Sequence, residues 1–387
     1  MSKLNIATVF SGIGSVEFAL KRMQIPHEIV FACDNGEVNL ADHNKKEVWR
    51  NIKEANGPSE KKQIVDELYE NYSRQTNFVK KTYFANFNIT EDKWHNDISY
   101  LDGTDYNGKV DLLVGGSPCQ SFSIMGYKRG LEDARGTLFY DFARLVKEIE
   151  PKVFIFENVQ GLRRHDNGNT WDIVSNTFMG LGYKIEHRIL DAVEYGIPQK
   201  RRRIFVVGFK DPKVEFSFPQ KISEENNIKF TMQDFLLNNV KLGNFVSDLN
   251  GDIKLINPGY GEAVDKKHIL SDKVYKHVMS TGTKSYYIKP EVDLKIARPL
   301  LSTMHKMHRA GVDNYVTDLE HNKLRRLTPR ECLRLMGFDD SFKQVVSDTQ
   351  MYRQAGNSIV VDVFIHLLKQ INLSIDLFEE KKIETVK

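Results

Sequence analysis

Residues 4–34 read LNIATVFSGIGSVEFALKRMQIPHEIVFACD, and this stretch decides the fold. NIATVF has the composition of a buried strand, SGIGS is a glycine turn, VEFALKRM spaces its apolar residues as a helix does, and EIVFACD is a second strand. Working outward, strands are predicted at 110–114, 152–157, 183–191 and 203–209, with helices at 137–149 and 170–180 between them. This alternation predicts an α/β architecture, a doubly wound and mostly parallel sheet. Residues 44–93 are rich in lysine and glutamate, with Ile64, Val65, Leu68, Tyr69 and Tyr72 at helical spacing, and are read as a helical surface excursion. Residues 1–209 are therefore expected to form one domain. Residues 210–322 form a loop-rich module punctuated by Pro212, Pro219, Pro258, Pro290 and Pro299, and 323–387 return to the first domain. In LTPRECLRLMG, Thr328 is the expected N-cap, Pro329 the first helical residue and Gly337 the stop. A last, apolar helix is expected over about 360–371, after Gly-Asn-Ser at 356–358.

Composition excludes several classes. Hydrophobic residues make up 41% and charged residues 28% of the 387, as in ordinary globular proteins. Three cysteines, Cys33, Cys119 and Cys332, are too few and too scattered for a disulfide framework, and no CxxC or Cys/His cluster points to a metal. MSKLNIATVF lacks a signal-peptide core, and SIVVDVFIHLL is too short and too interrupted by charge to span a membrane. A cytoplasmic, monomeric protein without a metal is expected. The net charge of +3 is mild, but its distribution is not. Between Lys266 and Arg309 ten Lys/Arg face three acids, interleaved with three tyrosines and four histidines. That pattern suits a polyanion, or a solvated lysine-rich surface.

The turn Phe10-Ser11-Gly12-Ile13-Gly14-Ser15 allows close backbone approach by a ligand. Glu17 stands where a dinucleotide fingerprint has its third glycine, which disfavours a dehydrogenase. Asp34, followed by Asn35, ends the next strand, where a carboxylate binds ribose hydroxyls. A nucleoside ligand without phosphate is expected, of which S-adenosylmethionine is the commonest. Asp97-Ile98 is either its adenine side or a surface loop.

The reactive end centres on GGSPCQSFS, residues 115–123. Cys119 follows a short apolar strand and a glycine hinge, so it is a nucleophile offered to a cleft, or a buried small hydrophobe. Glu157-Asn158-Val159 ends another buried strand, where apolar neighbours raise a carboxyl pKa and make a proton donor. Arg201 and Arg203, at period two, are placed to hold a base oxygen or a phosphate, or form a solvated basic turn. Asn357 and Ser358 are read at a helix start, where either is a possible cap.

Motif for motif and in order, the chain resembles the DNA (cytosine-5)-methyltransferase family. FSGIGS matches its first cofactor motif, GGSPCQSFS its nucleophile loop and ENV its acid motif. QKRRRIFVVG, RLTPRECLRLMGF and QAGNSIVV match its later motifs. The resemblance covers residues 4–209 and 324–372, while 210–322 match only in position, as a target-recognition region. Asp34 replaces a frequent glutamate, and the 44–93 excursion is longer than in compact members.

The resemblance implies an S-adenosylmethionine-dependent methyltransferase fold and a covalent mechanism. Cys119 thiolate would add to C6 of a flipped cytosine in duplex DNA, since C5 alone is a poor nucleophile. Glu157 would donate to N3, Asn158 would orient the base, and Arg203 with Arg201 would hold O2 and support Glu157. The cofactor, leaving as S-adenosylhomocysteine, would be held by Phe10–Ser15, Asp34, Asn35, Asp97, Ile98, Pro118, Asn357 and Ser358. DNA-facing candidates are Gln120, Ser123, Lys284, Lys306, His308 and Arg309. A restriction endonuclease is the expected functional partner of such a modification enzyme. Two alternatives remain. One is a transfer-RNA cytosine methyltransferase, whose hallmark Cys-Phe-Thr is missing here, Leu333 following Cys332. The other is a catalytically dead DNA-binding relative, against which the intact Cys119, Glu157 and both arginines speak.

Overall fold

The structure is a computed structural model, and it describes residues 3–38, 45–73, 75–117, 138–225, 227–237, 244–247, 251–256, 264–283 and 286–378. Its centre is a seven-stranded sheet of β1 (Leu4–Val9), β2 (His27–Cys33), β3 (Trp94–His95), β4 (Leu112–Gly115), β5 (Val153–Val159), β6 (Lys184–Asp191) and β7 (Arg202–Phe209). Their order across the sheet is β3-β2-β1-β4-β5-β7-β6. Strands β1 to β5 pair in parallel, while β7 runs antiparallel between β5 and β6. The expected doubly wound sheet is therefore present. Chain order reverses between β1 and β4, and ligands of open α/β sheets bind at the carboxyl ends of strands beside such a switch.

Each strand feeds two cores, because successive side chains point to opposite faces. Ile6, Val153, Ile155, Phe205 and Val207 join one core; Ala7, Val9, Phe154, Phe156, Ile204 and Val206 join the other. Helices α1 (Ser15–Arg22) and α10 (Val361–Ile375) cover the first face, tied by the buried pair Arg22–Asp362 at 2.9 Å. Helices α5 (Leu138–Ile149) and α6 (Asn169–Gly180) cover the second, where Phe154 and Phe178 lie 4.5 Å apart. Asp348–Ile375 is the one helical run among the described residues apolar and long enough to cross a membrane, and it is mostly buried inside the protein.

The excursion holds α2 (Lys45–Glu54), α3 (Pro58–Tyr72) and α4 (Phe78–Asn86). Most of α2 and α3 lies at the surface, and the excursion is also planted on the loops at the carboxyl edge of the sheet. Tyr83 is fully buried and its ring lies 4.8 Å from that of Phe87, which packs against Gly14. The Tyr83 hydroxyl donates to Glu17 Oε1 at 2.7 Å, Asn77 Nδ2 donates to the Asp34 carbonyl at 3.0 Å, and Thr82 Oγ1 donates to Gln354 Oε1 at 2.8 Å.

Beyond Phe209 lie α7 (Asp272–Val278), α8 (Pro329–Arg334), α9 (Asp348–Asn357) and the small pairs β8–β9 (Asn244–Ser247, Ile253–Ile256), β10–β11 (Gly282–Thr283, Tyr286–Tyr287) and β12–β13 (Tyr315–Asp318, Lys323–Arg326). Leu270, Val278, Ala310 and Tyr315 form a local core, whereas Phe218, Met232, Phe235, Ala297 and Leu300 join the main one. Thr328 caps α8 with Glu331 in a reciprocal capping box and Pro329 opens the helix, as expected. Gly356-Asn357-Ser358 departs from expectation: these residues close α9 rather than open a helix. Ser347 caps α9 ten residues upstream of Asn357, so the helix runs into the motif and α10 begins only at Val361.

Glu17 gives a test of this packing. Thr8 and Tyr83 both donate to its Oε1, its Oε2 is buried without a partner, and burial holds its pKa above the ordinary 4.5. A carboxyl whose folded pKa is raised loses stability as pH climbs through that value. The melting-temperature difference, Glu17→Gln minus wild type, is therefore expected to grow from about pH 5 to about pH 8. A difference that stays flat across circular-dichroism melts in this window would contradict the burial argument.

Candidate active site

A cleft opens at the switch point, lined by Phe10, Ser11, Gly12, Ser15, Gly116, Glu157, Asn357 and Ser358 among others. Four stretches distant in sequence thus meet at one cleft. Phe10 and Gly12 take left-handed backbone, φ 53° and 54°, which turns the chain between β1 and α1. Ser11 fastens this turn to β2, its amide donating to the Cys33 carbonyl at 3.1 Å and its Oγ accepting from the Cys33 amide at 3.0 Å. Ile13 is buried in the core. Ser15 Oγ lies 2.7 Å from Ser358 Oγ, tying the glycine turn to the α9–α10 junction.

Asp34 is anchored by two backbone amides. Its Oδ2 accepts from the Gly12 amide and its Oδ1 from the Gly36 amide, each at 2.9 Å. Each carboxylate oxygen keeps a further acceptor site, enough for a vicinal diol. Burial raises its pKa, against the two amides, which lower it. Asn35 turns inward on its own loop, donating to the Val38 carbonyl at 2.9 Å. Asp97-Ile98 lies beside Asp34, whose amide donates to the His95 carbonyl at 3.1 Å. Ile98 is buried, and Asn357 is exposed, with Nδ2 3.4 Å from Glu37 Oε1.

At the reactive end, antiparallel β7 matters because its amino end meets the carboxyl end of β5, with Arg203 opposite Val159. Arg203 Nε lies 3.0 Å from Glu157 Oε1. Burial raises the Glu157 pKa, outweighing Arg203 and Arg201, which lower it. Glu157 Oε2 lies over Gly116, where a Cβ would come within 2.8 Å of it. This close approach requires glycine at 116.

Two expected base contacts have other partners. Asn158 Nδ2 donates to the Ser117 carbonyl at 2.8 Å, so it holds the stem of the segment leading to Cys119. Arg201, fully buried at its head, donates to the carbonyls of Leu300, Gly356 and Ser358 at 2.9, 2.8 and 2.8 Å. Burial first, then Arg203, pushes its pKa down to about 9, still above neutrality. The structure brings Arg203, not Arg201, to the Glu157 carboxylate. Pro118, Cys119, Gln120, Ser123 and Lys284 lie outside the described residues. Cys33 and Cys332 are buried, and burial pushes both thiols well above the ordinary pKa. Lys306 is exposed, while His308 Nε2 pairs with Thr303 Oγ1 at 3.0 Å and Arg309 Nε donates to Ser280 Oγ at 2.8 Å.

The profile of C-5 cytosine-specific DNA methylases matches residues 73–373. The chain belongs to this family. It is 37% identical over 268 residues to the Type II methyltransferase M.HhaI of Haemophilus parahaemolyticus, covering 69% of this chain and 77% of that one. It is 32% identical over 303 residues to the Type II methyltransferase M.SsoII of Shigella sonnei, covering 77% and 72%. Its fold matches the crystal structure of S. pombe Dnmt2 methyltransferase with a TM-score of 0.63, at 20% identity over 96% of this chain and 99% of that one. The protein is a DNA cytosine-C5 methyltransferase with the fold expected of that class.

Reading the sequence of this methylase missed the residues that support its cleft. Tyr83, Thr82 and Asn77 come from the excursion, and Gln199 receives the Leu300 amide at 3.0 Å while donating to the Leu335 carbonyl at 2.7 Å. Asn77, the N-cap that accepts from the Lys80 amide ahead of Phe78–Asn86, was a sequence signal that could have pointed to this helix.

The two arginines should separate cleanly. Arg201→Ala strips three buried carbonyls of their donor and is expected to destabilise the fold by about 3 kcal/mol or more in urea. Arg203→Ala is expected to cost clearly less than Arg201→Ala, since its side chain keeps some exposure and Glu157, its pKa already raised by burial, can take up a proton when the guanidinium is lost. Because Arg203 lowers the Glu157 pKa, its removal should move the Glu157 limb of the pH–rate profile upward. Equal stability losses in both variants would refute the distinction.

Proposed function

We propose that this methylase modifies a flipped cytosine in a defined duplex DNA sequence, with Cys119 adding to C6 and Glu157 supplying the N3 proton. The observation that carries the reading is the raised Glu157 carboxyl, held by Arg203 on the strand beside the one that leads to Cys119. Cys119 is the candidate nucleophile, because Cys33 and Cys332 are buried and their thiols resist ionisation. Arg203 orients Glu157 and is available to the base O2. Asn158 acts through the backbone of Ser117, and Arg201 through the carbonyls it gathers, so both are positioning residues. The base must leave the stack, since C6 is out of reach within a duplex.

The cleft fits S-adenosylmethionine. Asp34, anchored by two amides, offers free acceptor sites to a ribose diol, and the glycine turn leaves backbone accessible beside it. Phe10–Ser15, Asp34, Asn35, Asp97, Ile98, Pro118, Asn357 and Ser358 are the residues proposed to hold it. When bound, it supplies an electrophilic methyl group. Addition of the Cys119 sulfur to C6, with the Glu157 proton passing to N3, would give an enamine whose C5 could accept that methyl group, S-adenosylhomocysteine being released. Loss of the C5 proton to water and return of the N3 proton to Glu157 would then expel the thiolate by β-elimination. Residues 210–322 are proposed as the recognition module, with exposed Lys306 on its DNA side. Type II relatives favour a modification role beside a restriction endonuclease, and a DNA substrate favours the cytoplasm.

Cys119→Ser is expected to abolish methyl transfer while leaving cofactor affinity within about threefold. Duplex DNA containing 5-fluorocytosine at the target should trap wild type covalently, because no C5 proton can be lost. Methylation of tRNA but not duplex DNA by the purified protein would overturn the DNA reading. Undiminished turnover by Cys119→Ser would overturn the covalent one.

A further inference from the structure

We infer that the helical pair α2–α3 is part of the cofactor site, with Tyr69 as a positioning residue that aims the Asp97 carboxylate at the exocyclic amino group of adenine. This rests on the proposed adenine contact of Asp97. Both helices lie upstream of the residues that match the family profile.

The pair is not a free surface element. Val65 and Tyr69 of α3 and Ile52 of α2 close a small core with Val38 and Tyr100. Val38 follows the Asp34 loop and Tyr100 follows Asp97, so this core joins the two proposed cofactor loops. The polar contacts converge on the same segment. Trp49 Nε1 donates to the Ser99 carbonyl at 3.0 Å, Asn96 Nδ2 to Asp66 Oδ1 at 2.9 Å, and Lys61 Nζ to Asp102 Oδ2 at 2.8 Å and Asp105 Oδ1 at 2.9 Å. From the other side, Arg144 donates to the Ile98 and Leu101 carbonyls, each at 2.7 Å, with its guanidinium 5.1 Å from the Trp49 ring.

Within this clamp one contact reaches the carboxylate itself. The Tyr69 hydroxyl donates to Asp97 Oδ2 at 3.2 Å, while Oδ1 accepts from the Ser99 amide at 2.8 Å. Each oxygen is fixed by one donor and keeps a lone pair for another. Adenine's amino group is a donor, and an ionised carboxylate in a set orientation is a stronger acceptor for it than a neutral carboxyl. Burial raises the Asp97 pKa and the Tyr69 hydrogen bond opposes that rise, so the hydroxyl favours the charged, accepting form. A phenylalanine would fill the same apolar space without this effect.

The test titrates full-length protein calorimetrically with S-adenosylhomocysteine and with its inosyl analogue, which carries oxygen in place of the amino group. Tyr69→Phe is expected to weaken adenosyl binding about tenfold, the scale of one hydrogen bond to a charged group. Inosyl binding should change less than about twofold, so the preference between the two ligands shrinks. At saturating cofactor the turnover number should hold while its KM rises. Trp49→Phe, which loosens the clamp without touching Asp97, should keep the preference. Unchanged adenosyl affinity in Tyr69→Phe, equal loss for both ligands, or a preference lost in Trp49→Phe would overturn the inference. Asp97→Asn separates the two readings. If it leaves the preference intact, the adenine contact itself is wrong; if it erases the preference while Tyr69→Phe does not, only the role of Tyr69 falls.

Discussion

The guanidinium of Arg201 holds together three parts of the chain that no local propensity would join. It sits at the entry to β7 and gathers the carbonyls of Leu300, within the proposed recognition module, and of Gly356 and Ser358, at the α9–α10 junction. A buried cation is costly unless hydrogen-bonded, and a buried carbonyl left without a donor also costs, though less. Each therefore constrains the other. Gly356 completes the arrangement, because a Cβ there would fall 2.3 Å from the Leu301 carbonyl carbon and the Ser302 amide. The backbone of the C-terminal return thus lies directly on the stem of the recognition segment. Ser358, held in this way, reaches Ser15 and closes the cofactor side of the cleft.

What was legible in the sequence followed from local chemistry. The strand–turn–helix–strand of residues 4–34 declared itself through period, glycine and a terminal carboxylate, and it stands as read. The period-two arginines were visible, and the family resemblance already set Arg203 beside Glu157. Nothing near residues 199–203 encodes that the Arg201 guanidinium instead meets carbonyls more than ninety residues away. Gly-Asn-Ser was misplaced for a related reason. Its glycine looks like punctuation for a helix start, yet close approach to Leu301 requires it, and the cap that defines its helix is Ser347.

The excursion illustrates a different limit. Lysine and glutamate on three sides of α3 read as a solvated helix, and that face is solvated. The narrow stripe of Val65 and Tyr69 carries the packing, and a stripe does not disclose what it covers. Its charges mislead as well, since Lys61 is largely buried between Asp102 and Asp105. Burial drives the Lys61 pKa down and the two carboxylates drive it up by more, which identifies it as a tether rather than a surface cation.

The balance at Glu157 shows how the sheet itself sets chemistry. Two arginines alone would hold this carboxyl ionised and useless as an acid. Burial on β5 between well-packed neighbours opposes them and prevails, so the group favours its proton more than a free carboxyl does. Geometry then selects the oxygen. Arg203 occupies Oε1, leaving Oε2 over Gly116, at the stem of the segment that carries Cys119. The proposed acid lies on β5, and its parallel neighbour β4 leads in sequence toward Cys119; the pairing of the two strands sets Gly115 beside Phe156. An antiparallel neighbour was needed to deliver Arg203 to that edge, because only a strand running backwards begins where β5 ends. The reversed β7 is therefore the feature of the topology on which the charge balance at Glu157 depends.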